Sequence, residues 1–109
     1  MPRDEHWLAD IRETGTSIEG FLAGVDKSAF LASDLVRSAV LHKLTIVGEA
    51  ANRLTPELRA RYPHLPWREI IGFRNIIVHA YFTIDWDVVW KAATESLPEL
   101  VALLGRPAE

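Results

Sequence analysis

Apolar residues recur three and four positions apart along almost the whole chain, and no run alternates apolar with polar residues as a half-buried strand does. This period commits the backbone to helices. Trp7, Leu8, Ile11, Gly15, Ile18, Phe21 and Leu22 share one face, which predicts a first helix over residues 4–23. Gly24, tolerant of a left-handed backbone, is its expected stop. A turn around residues 26–28 then leads into the longest helical stretch, ending near Leu54. There Leu35, Ala39, His42, Ile46, Ala50 and Arg53 form one stripe; Val36, Val40, Val47 and Leu54 lie beside it, with Leu41, Leu44, Gly48 and Ala51 further round. A helix apolar on most sides is central in its domain or packs on a partner. Gly48, Ala50 and Ala51 leave room for another helix to approach.

Thr55-Pro56-Glu57 reads as an N-cap, a first-turn proline and a first-turn acid, opening a short helix to about Arg61. Residues 62–66 form a loop, because Pro63 and Pro66 push their predecessors out of the helical region. The next helix opens at Pro66-Trp67-Arg68-Glu69 and is expected to reach about residue 80. Asp85 caps a last helix through Leu104, with Val89, Trp90, Ala93, Leu97, Val101 and Leu104 as its stripe and a kink or break at Pro98. The expectation is a single all-α domain over residues 1–109, a four- to five-helix bundle with short connections.

Composition narrows the functional classes. There is no cysteine, hence no disulfide framework and no thiolate nucleophile or metal ligand. His6 and His42 have no ligand-like spacing to other residues, no glycine-rich phosphate loop is present, and neither metal nor cofactor is expected. The longest uncharged stretch, residues 75–84, is too short to span a membrane. The polar opening residues lead straight into the first helix, so no signal peptide and a cytoplasmic location are expected. The net charge of −3 argues against coating a long duplex. Yet residues 53–81 hold five arginines against two glutamates, a net +3 on a body carrying −6. A local basic zone on an acidic body suits a confined anionic ligand, although solvated arginines at helix ends give the same pattern.

Within that zone, Arg74, Asn75, His79 and Tyr81 interrupt an otherwise apolar helix. At about 100° per residue Arg74 and Tyr81 share a face, as do Asn75 and His79, whereas Arg74 and His79 stand about 140° apart. A joint site therefore needs the helix to end near His79, the arginine to curl round, or a second subunit to supply the missing group. An imidazole that titrates near neutrality can take a proton from a ribose 2′-hydroxyl. A guanidinium can grip the phosphate and stabilise its growing charge. Asn75 can set the His79 tautomer or contact substrate. The plain alternative is an ion-pairing arginine and a core or capping histidine.

The segment from Pro66 to Phe82 resembles the hallmark of the HepT family of HEPN toxins: an arginine, four residues, a histidine, one residue and a tyrosine. Arg74, His79 and Tyr81 match that spacing. Ile46-Val47-Gly48-Glu49-Ala50-Ala51 resembles the family's other recurrent segment, and Asp85-Trp86, Trp90 and Leu97-Pro98-Glu99-Leu100 fit its last helix. The resemblance implies an all-helical homodimer with the two motif segments facing each other. It implies a metal-independent endoribonuclease with Arg74 and His79 as the catalytic pair. It also implies an MntA-type nucleotidyltransferase antitoxin that attaches AMP to Tyr81, as in a type VII-like toxin–antitoxin pair. Added phosphates at Tyr81 would fill the anion site and repel RNA.

Arg61, His64 and Arg68 are candidate RNA contacts, with surface solvation as their ordinary role. Glu49, in an apolar helix, is expected to pair with a nearby arginine. Trp67, Trp86 and Trp90 read as core or dimer contacts. Two rivals stay open: a catalytically silent helical module that binds a nucleotide or a nucleotidyltransferase, and a dimeric scaffold in which Arg74 and His79 only make interface hydrogen bonds.

Overall fold

Six helices and two departures from α geometry make up the described part of the computed structural model, which comprises residues 2–75 and 83–104. In chain order they are α1 (Pro2–Phe21), α2 (Lys27–Ala32), α3 (Asp34–Arg53), α4 (Pro56–Ala60) and α5 (Trp67–Gly72), the last continued by a 3-10 turn (Phe73–Asn75). After the undescribed stretch, α6 (Trp86–Lys91) runs through a π-helical turn (Ala92–Ser96) into α7 (Leu97–Leu104), which together form the sixth helix. No strand occurs among the described residues, and none of their helices is long and apolar enough to cross a membrane.

Local chemistry sets the boundaries. Gly24 has φ 73°, the left-handed turn expected after the first helix. Asp26 caps α2 by accepting from the Ala29 amide at 2.8 Å. The long stretch after this turn is not one helix: it breaks at Ser33, which is extended and accepts from the Val36 amide through its hydroxyl at 3.1 Å. A serine can offer the chain a cap in place of another helical turn, and here it does. Thr55 caps α4 through the Leu58 amide, and Asp85 caps α6 through the amides of Asp87 and Val88. The π turn lies where Pro98, lacking an N–H, cannot donate to a carbonyl one turn back, so the expected irregularity takes the form of a widened turn.

Helix α3 is central and packs against α1 on one side and against α5 with its 3-10 turn on another. Its buried face is Val40, Leu41, Leu44, Val47, Gly48, Ala50 and Ala51. Of the stripe through Leu35 and His42 only Ala50 is buried: Leu35 is 80% exposed and His42 and Arg53 are exposed, so the two neighbouring stripes supply most of the core face. Phe30 of α2 is fully buried and meets Trp86 and Trp90 edge-on or tilted, which gives both tryptophans core roles. Burial on this scale is worth about 1.5–3 kcal/mol for each large apolar side chain.

Two polar residues, Asp4 and Thr14, are buried among the described residues. Asp4, 6% exposed, accepts from the Thr55 amide at 2.9 Å and from its hydroxyl at 2.7 Å. The first turn of α1 is thereby fastened to the junction of α3 and α4, beside the basic end of α3.

Candidate active site

The site is built on a close approach of backbones. Gly48 faces the end of α5 so closely that a Cβ there would lie 2.8 Å from the Ile70 carbonyl and 2.9 Å from the Arg74 amide. Only a glycine permits this contact, and it sets the start of the 3-10 turn against α3. Buried Ile70 and Phe73 anchor the same segment in the core. The Arg74 backbone is therefore held against Gly48, whose chain neighbour is Glu49.

Glu49 stands between two guanidinium groups. Its Oε2 accepts from Arg53 Nε at 2.8 Å, an i, i+4 pair on α3, and its Oε1 lies 3.7 Å from Arg74 Nη1. The first contact is a charge-assisted hydrogen bond; the second is an ion pair too long to be one. The Arg53 hydrogen bond, with the charges of Arg53 and Arg74, holds the Glu49 carboxyl below the usual carboxylate range, and partial burial opposes it. Side-chain exposures of 36% for Arg74, 44% for Glu49 and 52% for Arg53 leave all three within reach of a dissolved ligand. Two cations and one anion leave the cluster with net charge +1. Behind it, the Arg53 guanidinium carbon sits 5.6 Å from the centroid of the half-buried Trp7 ring.

The sequence-derived candidates divide clearly. Arg74 and Asn75 both lie on the 3-10 turn and are exposed, so the α-helical spacing used to place them does not hold at that point. His79 and Tyr81 lie outside the described residues. Arg61, at the end of α4, His64 in the loop and Arg68 on α5 are all exposed. Glu49 pairs with an arginine as expected, and in fact with two. Arg53 was read in the sequence as the end of one helix stripe and as part of the basic zone, not as a site residue; the i, i+4 spacing from Glu49 is the signal that finds it. Asp4 gave no such signal, because its partner Thr55 lies 51 positions away.

An exposed guanidinium, ion-paired with a carboxylate but not hydrogen-bonded to it, makes Arg74 a candidate anion contact on a helical protein. Comparison with known proteins then places the chain more narrowly. The HepT-like ribonuclease family profile matches residues 11–106, and the chain belongs to that family. It is 35% identical over 94 residues to "Probable ribonuclease HepT" of Thermococcus cleftensis, covering 86% of each chain. It is also 35% identical over 94 residues to "Putative RNase MJ1380" of Methanocaldococcus jannaschii, again covering 86% of each. No solved structure matches.

Proposed function

We propose that this protein is the toxin of a toxin–antitoxin pair, a homodimeric, metal-independent endoribonuclease that cuts RNA with Arg74 and His79. The observation that carries the reading is the exposed Arg74 guanidinium, fixed by the Gly48 approach and the Glu49 ion pair, in a member of a ribonuclease family.

In this mechanism Arg74 binds the scissile phosphate through paired N–H donors and stabilises the charge that grows on its oxygens. His79, neutral at the start, takes the proton of the adjacent 2′-hydroxyl. The 2′-oxygen attacks phosphorus, the bond from phosphorus to the 5′-oxygen breaks, and the leaving oxygen acquires a proton from imidazolium or water. The products are a 2′,3′-cyclic phosphate and a 5′-hydroxyl. Asn75 orients His79 or the substrate, and Arg61, His64 and Arg68 lengthen the RNA contact. Two copies bring their motif segments together across a two-fold axis, so that Arg74 and His79 converge on one phosphate. An MntA-type nucleotidyltransferase partner silences the enzyme by adding AMP to Tyr81, whose new phosphates compete for Arg74.

The test is cleavage of mixed cellular RNA by purified protein. Wild type cuts; Arg74→Ala and His79→Ala remain folded and do not. The net charge of −3 favours one rival, a silent module that holds a nucleotide or a nucleotidyltransferase. Wild-type protein that never cuts RNA and never slows growth decides for that module. Incubation with the partner and ATP is expected to raise the mass of wild type by AMP units and to leave Tyr81→Phe unchanged.

A further inference from the structure

We infer that Arg53 forms a second phosphate subsite, which holds a neighbouring phosphate of the same single RNA strand, with the exposed His6 ring, backed by Trp7, as a platform for an unpaired base. The inference rests on the ribonuclease reading of Arg74 and extends the same site along α3.

Three observations converge on it. First, Arg53 and Arg74 are tied to opposite oxygens of one carboxylate, at 2.8 and 3.7 Å, so their guanidinium groups flank a single side chain. A ligand that reaches one is beside the other, and the shared Glu49 cancels only one of the two charges. Secondly, the Glu49 bond uses the Nε–H of Arg53, one of five donors on a guanidinium, and the side chain is 52% exposed. A guanidinium pinned at Nε has its outer edge pre-oriented, which lowers the entropy lost when a phosphate binds it.

Thirdly, the surface continues as aromatic rings. Arg53 lies over Trp7, and the exposed His6 ring meets Trp7 edge-on with centroids 4.7 Å apart. Asp10, 3.8 Å from His6, is the acidic group on that flank. Cationic grips next to aromatic faces are how proteins hold single strands without reading their sequence, since every base presents a π-face. The Asp4–Thr55 bonds fasten the start of α1, just ahead of His6 and Trp7, to the end of α3 that bears Arg53.

The test uses full-length protein and a short fluorescent single-stranded RNA. Binding is measured over a range of salt concentrations in the non-cleaving His79→Ala background, with steady-state cleavage measured in the otherwise native protein. Arg53→Ala is expected to weaken binding about tenfold, the scale of one lost charged hydrogen-bonding contact. It should also flatten the slope of log affinity against log salt by about 0.7, one phosphate's worth on a single strand. In cleavage the loss falls on KM rather than on kcat. Arg53→Lys restores the slope and only part of the affinity, because it keeps the charge without the planar fork. Arg53→Gln, which keeps the stem over Trp7, reproduces the Arg53→Ala slope and covers the case in which the alanine variant does not fold.

An unchanged salt slope in Arg53→Gln overturns the subsite. So does a loss confined to kcat, which would make Arg53 a mere support for Glu49 and Arg74. Wild-type protein that binds RNA without cutting it defeats the ribonuclease reading instead, and the salt slope still decides the subsite.

Discussion

Replacing Gly48 by alanine adds one methyl group where α3 meets the backbone that carries Arg74. The added Cβ would stand 2.8 Å from the Ile70 carbonyl, 2.9 Å from the Arg74 amide and 3.2 Å from the Ile71 carbonyl. All three atoms are backbone, so no rotamer change relieves the contact. Restoring ordinary separation requires the end of α5 to retreat by about half an ångström. Overpacking of this kind costs about 1–3 kcal/mol. Alanine's better helix propensity returns about 0.5–1 kcal/mol. The net expectation is a destabilisation of about 1–2 kcal/mol, or a Tm lower by about 5–10 °C in a domain of this size.

The glycines supply their own controls. Gly20 on α1 and Gly72 at the end of α5 have nothing within 4 Å of a built Cβ. Alanine at either should raise stability by about 0.5–1 kcal/mol through propensity alone. Thermal unfolding followed by circular dichroism compares the three variants. RNA cleavage by folded Gly48→Ala protein, well below its Tm, should fall as well, because the retreat carries the Arg74 backbone away from Glu49. If Gly48→Ala proves as stable as Gly20→Ala, the close approach does not hold the site.

Two further perturbations address the supports of the site. Asp4→Ala strips two hydrogen bonds from Thr55, and at about 1–3 kcal/mol for the donors left unsatisfied it should lower the urea midpoint clearly, with Asp4→Asn milder; a midpoint equal to wild type would mean that the fastening is idle. Glu49 titrates below its ordinary range, so its contribution is complete above the unfolded carboxyl pKa of about 4.3 and disappears as pH falls through the lower folded value. The stability gap between wild type and Glu49→Gln should therefore be constant near neutrality, at no more than about 1 kcal/mol for so exposed a pair, and should close in acid. A gap that widens in acid would reverse the assigned sign.

The fold was legible where capping chemistry is local. Thr55-Pro56, Asp85 and Gly24 each announce a boundary within four residues, and each boundary occurs where those residues stand. The break at Ser33 was hidden, because Leu31, Leu35 and Val36 continue an apolar period across it while the serine hydroxyl takes the Val36 amide. Periodicity records which positions are apolar and not whether the backbone between them is continuous. The same limit left open which stripe of α3 faces the core: Leu35, Ala39 and His42 keep helical spacing with Ile46, but Leu35 and His42 face solvent. At the site, Glu49 and Arg74 carried visible chemistry, and Gly48 had the right size for a close approach. What the sequence could not disclose is that these residues meet, since their contact joins α3 to α5 and its 3-10 turn and depends on two carbonyls and an amide that no side-chain pattern records.

The central claim is that the 2′-hydroxyl of RNA is the nucleophile, deprotonated by His79 while Arg74 holds the phosphate. The chemistry of the new ends tests it most directly. RNA cut by the wild-type protein in the presence of EDTA should carry 2′,3′-cyclic phosphates on the upstream fragments and 5′-hydroxyls on the downstream ones, and neither Arg74→Ala nor His79→Ala should generate them. Fragments ending in 3′-hydroxyl and 5′-phosphate, or full activity in either variant, would contradict the account.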